Sequence, residues 1–151
     1  MNDKINELIE SIERLMYGHN YEVCIGVDIF EGNSEIEFRN QIKLKYPKTN
    51  PENYPLTKIE VEDFWEDIKD KHNYRGDDGA GLNLSIEKEQ KLKSKLEEYY
   101  NYIEQHLDEN TRYFYYNDPE GIPGYPVFWE YRYVAMNNAN KIIFIYGSSS
   151  D

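Results

Sequence analysis

The apolar residues at the N-terminus recur at three- and four-residue spacing: Ile5, Leu8, Ile9, Ile12, Leu15 and Met16, with Glu7, Glu10, Glu13 and Arg14 between them. That period predicts an amphipathic helix over 3–17, capped by Asn2 or Asp3 and ended by Gly18. From Tyr21 to Phe30 the period drops to two. Tyr21, Val23, Ile25, Val27 and Ile29 fall on one face and Glu22, Cys24, Gly26 and Asp28 on the other, which predicts a strand. Glu31-Gly32-Asn33-Ser34 supplies turn residues. Ile36, Phe38, Ile42 and Leu44 then alternate with Glu35, Glu37, Arg39, Gln41, Lys43 and Lys45, so the two segments are expected to form a hairpin with one buried and one wet face.

Pro47, Pro51 and Pro55 mark a loop, because each removes a backbone donor and restricts the residue before it. Thr57 followed by Glu60 matches a capping box, and Val61, Phe64, Trp65 and Ile68 follow at helical spacing, predicting a helix over about 58–71. Arg75 to Gly81 reads as a mobile connection. Ser85 is positioned to cap a long helix running to about Leu107, with Leu92, Leu96, Tyr99, Tyr100 and Ile103 along its apolar stripe. Alternation returns over 112–116, 127–136 and 141–146, predicting three strands in an antiparallel meander, with Ser148-Ser149-Ser150-Asp151 as a solvated tail. The order α-β-β-α-α-β-β-β indicates an α+β fold. It is expected to be a single domain over 1–151, with the N-terminal hairpin and the C-terminal three-stranded meander in one antiparallel sheet and helices packed on one face.

Composition narrows the function classes. The chain has 151 residues and a net charge of −12, and 15% of its residues are aromatic, 15 of them tyrosines. The aromatics argue for an ordered core, and the length suits one domain. The negative charge works against direct contact with nucleic-acid phosphates or anionic membranes, both of which need clustered Lys and Arg. The single cysteine, Cys24, has no partner for an internal disulfide, and it forms no zinc-like spacing with His19, His72 or His106. The N-terminus lacks the basic and apolar regions of a secretory signal, and the longest uncharged apolar run, Ile142 to Tyr146, is far shorter than a membrane span. The chain is therefore expected to be soluble and cytoplasmic, with no cofactor.

Sites for covalent or phosphate chemistry fare poorly. The loop Gly76-Asp77-Asp78-Gly79-Ala80-Gly81 carries two acids that would repel phosphate, and no Gly-Lys-Ser/Thr follows it. Cys24 lies mid-strand, and no serine or histidine has a catalytic context, so the three histidines read as surface or cap residues. Two features remain. The helix over 58–71 presents Glu62, Asp63, Glu66, Asp67 and Asp70 on one outer face, with like charges four apart, a placement that costs stability unless something cationic offsets it. On the strand over 127–136, Val127, Trp129, Tyr131 and Tyr133 point one way and Phe128, Glu130, Arg132 and Val134 the other. One of the two faces is expected to expose aromatics interleaved with Glu130 and Arg132, residue types enriched in interface hot spots.

In size, acidity, single-domain α+β character and tyrosine-rich sheet, the chain resembles immunity proteins of bacterial polymorphic and contact-dependent toxin systems. No family motif places individual residues. The resemblance implies an acidic binding protein that inhibits a toxin, most simply a nuclease domain, with carboxylates standing where the toxin expects phosphates. The expected contact residues are Glu62, Asp63, Glu66, Asp67, Asp70, Trp129, Glu130, Tyr131 and Arg132. Two alternatives fit the same sequence: a phage or mobile-element inhibitor of a host defence nuclease, and a small enzyme or ligand-binding domain with a pocket between sheet and helices lined by Glu130, Arg132 and Tyr115. A homodimer through the exposed aromatics is a further arrangement the pattern allows. The charge is uneven. Residues 52–78 carry nine acids against four bases and residues 97–120 seven against one, which gives two candidate docking surfaces.

Overall fold

In the computed structural model, which describes residues 3–76 and 81–151, five antiparallel strands form one sheet and four helices pack against it. The elements run α1 (Asp3–Leu15), β1 (Glu22–Glu31), α2 (Glu35–Lys45), a 3₁₀ turn (Pro51–Asn53), β2 (Thr57–Ile59), α3 (Val61–Asn73), α4 (Ile86–Glu104), β3 (Arg112–Tyr115), β4 (Trp129–Met136) and β5 (Lys141–Ser150). The α+β class, the antiparallel sheet and the C-terminal meander are as expected. The order α-β-β-α-α-β-β-β is kept, with one helix inserted after the first strand.

That inserted helix corrects the expected N-terminal hairpin, since residues 35–45 are helical. The Ser34 hydroxyl accepts a hydrogen bond from the Glu37 amide at 3.2 Å, while the Glu37 carboxylate accepts from the Ser34 hydroxyl at 3.0 Å and the Asn33 amide at 3.2 Å. This is a variant of the capping box, Ser34-x-x-Glu37, in which the carboxylate reaches the amide before the cap, and a Glu35–Arg39 pair four residues apart supports the first turns. The apolar pattern fits both periods, but burial obeys the helical one. Phe38 and Ile42 are fully buried, whereas Ile36 and Leu44, which strand alternation would place beside them, are 68% and 78% exposed. Gly32 makes the entry to α2 with φ of +135°, where a side chain would also strike Glu37.

The sheet order is β1-β5-β4-β3-β2. β1 and β2 therefore lie at opposite edges. β1 pairs over its whole length with β5, from Glu22↔Ser150 to Glu31↔Lys141, so Ser148, Ser149 and Ser150 are strand residues and not a solvated tail. The Thr57–Glu60 capping box does not form. Thr57 begins β2, and Glu60 stands before α3 without a side-chain cap. Gly18 does not take a left-handed conformation. It closes a tight turn with Tyr21 through two backbone hydrogen bonds of 2.8 and 3.2 Å. The expected mobile connection falls partly on residues 77–80, and the Asn2 cap on residue 2, all outside the described residues.

Both faces of the sheet are covered, which corrects the expectation of helices on one face only. On the first face, α1, α3 and α4 press Ile5, Ile9, Ile12, Phe64, Ile68, Leu92, Leu96, Tyr99 and Ile103 against Val23, Ile25, Tyr113, Trp129, Tyr131, Tyr133, Ala135, Ile143 and Ile145. On the second, α2 presses Phe38 and Ile42 against Tyr116, Val134, Met136, Ile142 and Phe144. Gly147 leaves room on the first face for the Tyr131 ring, since a Cβ there would stand 2.6 Å from Tyr131 Cζ.

The helical register of α2 is directly testable. Phe38→Ala should lower unfolding free energy by about 3–5 kcal/mol in urea titrations, and Leu44→Ala should change it by less than about 0.5 kcal/mol. A strand in this segment would make the two substitutions comparable.

Candidate functional site: an acidic helix face on an aromatic core

Phe64, Ile68 and His72 recur every four residues along α3 and face the sheet. The opposite side of the helix is thereby turned to solvent, and it carries Glu62, Asp63, Glu66 and Asp70, all exposed. None of these four takes part in an ion pair among the described residues. Asp67 sits at the border between core and solvent. It pairs with Lys71 one turn on and accepts a hydrogen bond from the Tyr133 hydroxyl of β4. Asp63, Glu66, Asp67, Asp70 and Tyr133 together line an open depression of about 290 Å³. Five of the nine expected contact residues are thus brought together on one rigid face.

The other four are not on it. Trp129, Tyr131 and Arg132 are 7%, 0% and 5% exposed, so the expected surface anchors belong to the core. The expected homodimer loses its exposed aromatic face for the same reason. Trp129 and Tyr131 stack at 5.9 Å with their rings 4° apart, and Tyr133 stacks next in line. Arg132, on the second face, donates to the Tyr116 carbonyl at 3.0 Å and the Tyr115 hydroxyl at 3.2 Å, and pairs with half-exposed Glu130 at 2.8 Å. The trio Glu130, Arg132 and Tyr115 is a self-satisfied cluster and not an open pocket lining. A roomier groove lies instead between α3 and α4. It has a volume of about 520 Å³, with Leu84, Ile86, Leu96 and Tyr100 beside Lys69, Lys93 and the Arg75–Glu89 pair.

His72 was the residue whose placement the sequence reading missed. It is fully buried, with Nδ1 2.7 Å from the Tyr100 hydroxyl and Nε2 2.8 Å from that of Tyr131, and its ring stacks on Tyr100. A neutral imidazole donates from one nitrogen and accepts at the other, so it satisfies both hydroxyls at once. Its spacing of four from Ile68 and eight from Phe64 was the available signal. Beside it, Trp129 Nε1 donates to the Tyr21 hydroxyl at 2.8 Å, and that hydroxyl donates to the Tyr74 carbonyl at 3.2 Å. Burial pushes the Tyr131 and Tyr133 hydroxyls above the ordinary tyrosine range, which keeps both as neutral donors.

Cys24 offers no reactive thiol. Burial, followed by the nearby carboxylates of Glu13 and Glu22, pushes it up to about 11. Among the described residues no group of three or more His, Cys, Asp or Glu side chains could hold a metal ion, and no helix is long and apolar enough to cross a membrane.

Burial, with a smaller contribution from the Arg75 charge, holds His72 down to about 3. The unfolded chain takes up this proton near its ordinary 6.5, so between about pH 6.5 and 3 the unfolded state binds more protons and stability falls as pH falls. The loss attributable to His72 should reach on the order of 1 kcal/mol per pH unit. His72→Leu should flatten that part of the pH profile, while lowering stability at pH 7 by about 1–3 kcal/mol because two buried hydroxyls lose their partner. Chemical denaturation across pH 4–8 checks both signs. Cys24 should be alkylated by iodoacetamide at pH 8 about a hundredfold more slowly than an unperturbed thiol, in proportion to its thiolate fraction.

No protein-family model matches the chain. No curated protein shows significant sequence similarity to it. Solved structures of citrus MAF1 in two crystal forms share the fold. One has a TM-score of 0.62 over 94% of this chain and 99% of that one, the other 0.63 over 95% and 97%, each at 10% identity. At that identity the likeness shows the architecture alone.

Proposed function

We propose that the chain is an acidic binding protein that neutralises a basic protein partner, and that the partner is a bacterial toxin domain, most simply a nuclease. The observation that carries this reading is the outer face of α3, where Glu62, Asp63, Glu66 and Asp70 stand exposed and, among the described residues, in no ion pair, on a helix anchored by Phe64, Ile68 and His72. Like charges at four-residue spacing repel by a few tenths of a kcal/mol per pair, and a docked basic surface turns that repulsion into attraction. A helix seated on the core through Phe64, Ile68 and His72 holds the carboxylates at helical spacing. The overall charge of −12 adds long-range steering toward a cationic partner. The stacked aromatics Trp129, Tyr131 and Tyr133 lie beneath this helix, and Arg132 points to the other side of the sheet. They take no part in the contact.

Co-expression in bacteria with a basic nuclease domain encoded beside the gene tests the reading. The wild-type chain should restore growth. The quadruple variant Glu62→Lys, Asp63→Lys, Glu66→Lys, Asp70→Lys should fail to do so while keeping its unfolding transition, since none of the four side chains contributes to packing. Association of the purified pair should slow by at least about tenfold in the variant and lose most of its salt dependence. Full protection by the variant would discard the α3 face as the docking surface, and absence of protection by the wild type would discard the toxin partner.

A further inference from the structure

β1 is the long edge of the sheet, and among the described residues no strand pairs with its outer side. In an antiparallel pair, alternate residues aim their backbone groups at the partner strand. The pairing of Glu22 with Ser150, and the Ile25 amide donating away from the sheet to Glu13 at 3.0 Å, put Val23, Ile25, Val27, Ile29 and Glu31 on the outward side. Among the described residues no hydrogen bond engages the outward amides of Val27 and Ile29. The opposite edge, β2, is only three residues long. A ten-residue edge strand is what natural sheets normally shorten, bend or cover, because it templates another strand.

Beside this edge, between α1 and β1, lies a groove of about 650 Å³ lined by Glu10, Glu13 and Glu22 against the single base Arg14. Glu13 is the informative residue. Its carboxylate occupies the place where the carbonyl of an added strand would accept the Ile25 amide, and burial together with Glu10 and Glu22 disfavours its charge there. An incoming cation would relieve that crowding. A second copy of this chain, itself at a net charge of −12, would be repelled rather than drawn to these acids.

We infer that the outer edge of β1 and the acidic groove beside it take up an extended basic segment of a partner protein by strand addition. Backbone pairing with Val27 and Ile29 holds the segment, and Glu10, Glu13 and Glu22 select Lys or Arg side chains on it. The inference does not depend on α3, which packs toward the other end of the sheet.

The test uses the full chain, ¹⁵N-labelled, and an acetylated ten-residue peptide of alternating Lys and Val, with the same peptide N-methylated throughout as control. The Lys–Val peptide should slow hydrogen exchange of the Val27 and Ile29 amides by at least about tenfold, less at high salt, and the methylated peptide should not. Glu13→Gln, which keeps an acceptor for Ile25 but removes the charge, should weaken peptide binding by about two- to fivefold. Equal effects of the two peptides would overturn the inference. So would binding that leaves Val27 and Ile29 unprotected, a result that places the peptide on another acidic surface and leaves the α3 reading standing. Protection of these amides that rises with protein concentration without peptide would overturn it in favour of a second copy.

Discussion

Among the described residues, six tyrosines are buried in this core beside isoleucine and phenylalanine, and each brings a hydroxyl that costs about 1–3 kcal/mol when buried without a partner. This constraint shapes the molecule. His72 joins the hydroxyls of Tyr100 and Tyr131, Tyr21 links Trp129 to the Tyr74 carbonyl, Tyr133 reaches Asp67, and Tyr46 donates to Asp28 at 2.5 Å. These bonds tie α3, α4, the segment after α3 and the helix on the far face to the two-sided sheet. They have direction as well as strength, so they fix where α3 sits along β4 more tightly than apolar contact alone would.

The candidate surface inherits its geometry from that network. Asp67 belongs both to the outer carboxylate row and, through Tyr133, to the stacked aromatic row of β4. The acidic face is therefore not a loosely attached helix but the solvent side of a hydrogen-bonded wall. Pre-placed charge of this kind loses little on binding, because few side chains and no backbone need ordering. The two edges of the sheet differ for a related reason. β2 is short and lies beside α3, whereas β1 is long and guarded at one point by Glu13.

Much of the fold was legible along the chain. The strong three-to-four period of α1, the Ser85 cap of α4 and the alternation of β3, β4 and β5 each emerge near their expected places. Residues 35–45 were misread because Ile36, Phe38, Ile42 and Leu44 satisfy period two while Phe38 and Ile42 also satisfy period four. The Ser34–Glu37 box was the cue that decides between them. The acidic row on α3 was legible because helical period alone puts it opposite Phe64 and Ile68. Trp129 and Tyr131 were not, because alternation sorts a strand into two faces without saying whether either is left open.

The sequence by itself thus determined the fold class, most of the elements, the excess of negative charge and the helix face that carries part of it, since all of these follow from composition and from spacing within one element. Only the tertiary structure decided that both sides of β4 are covered, that His72 is buried between two tyrosines, and that β1 ends the sheet with Glu13 on its free side. Each of those depends on which distant segments meet. A one-dimensional period records the direction of a side chain relative to its own element and carries no information about what has been packed against it.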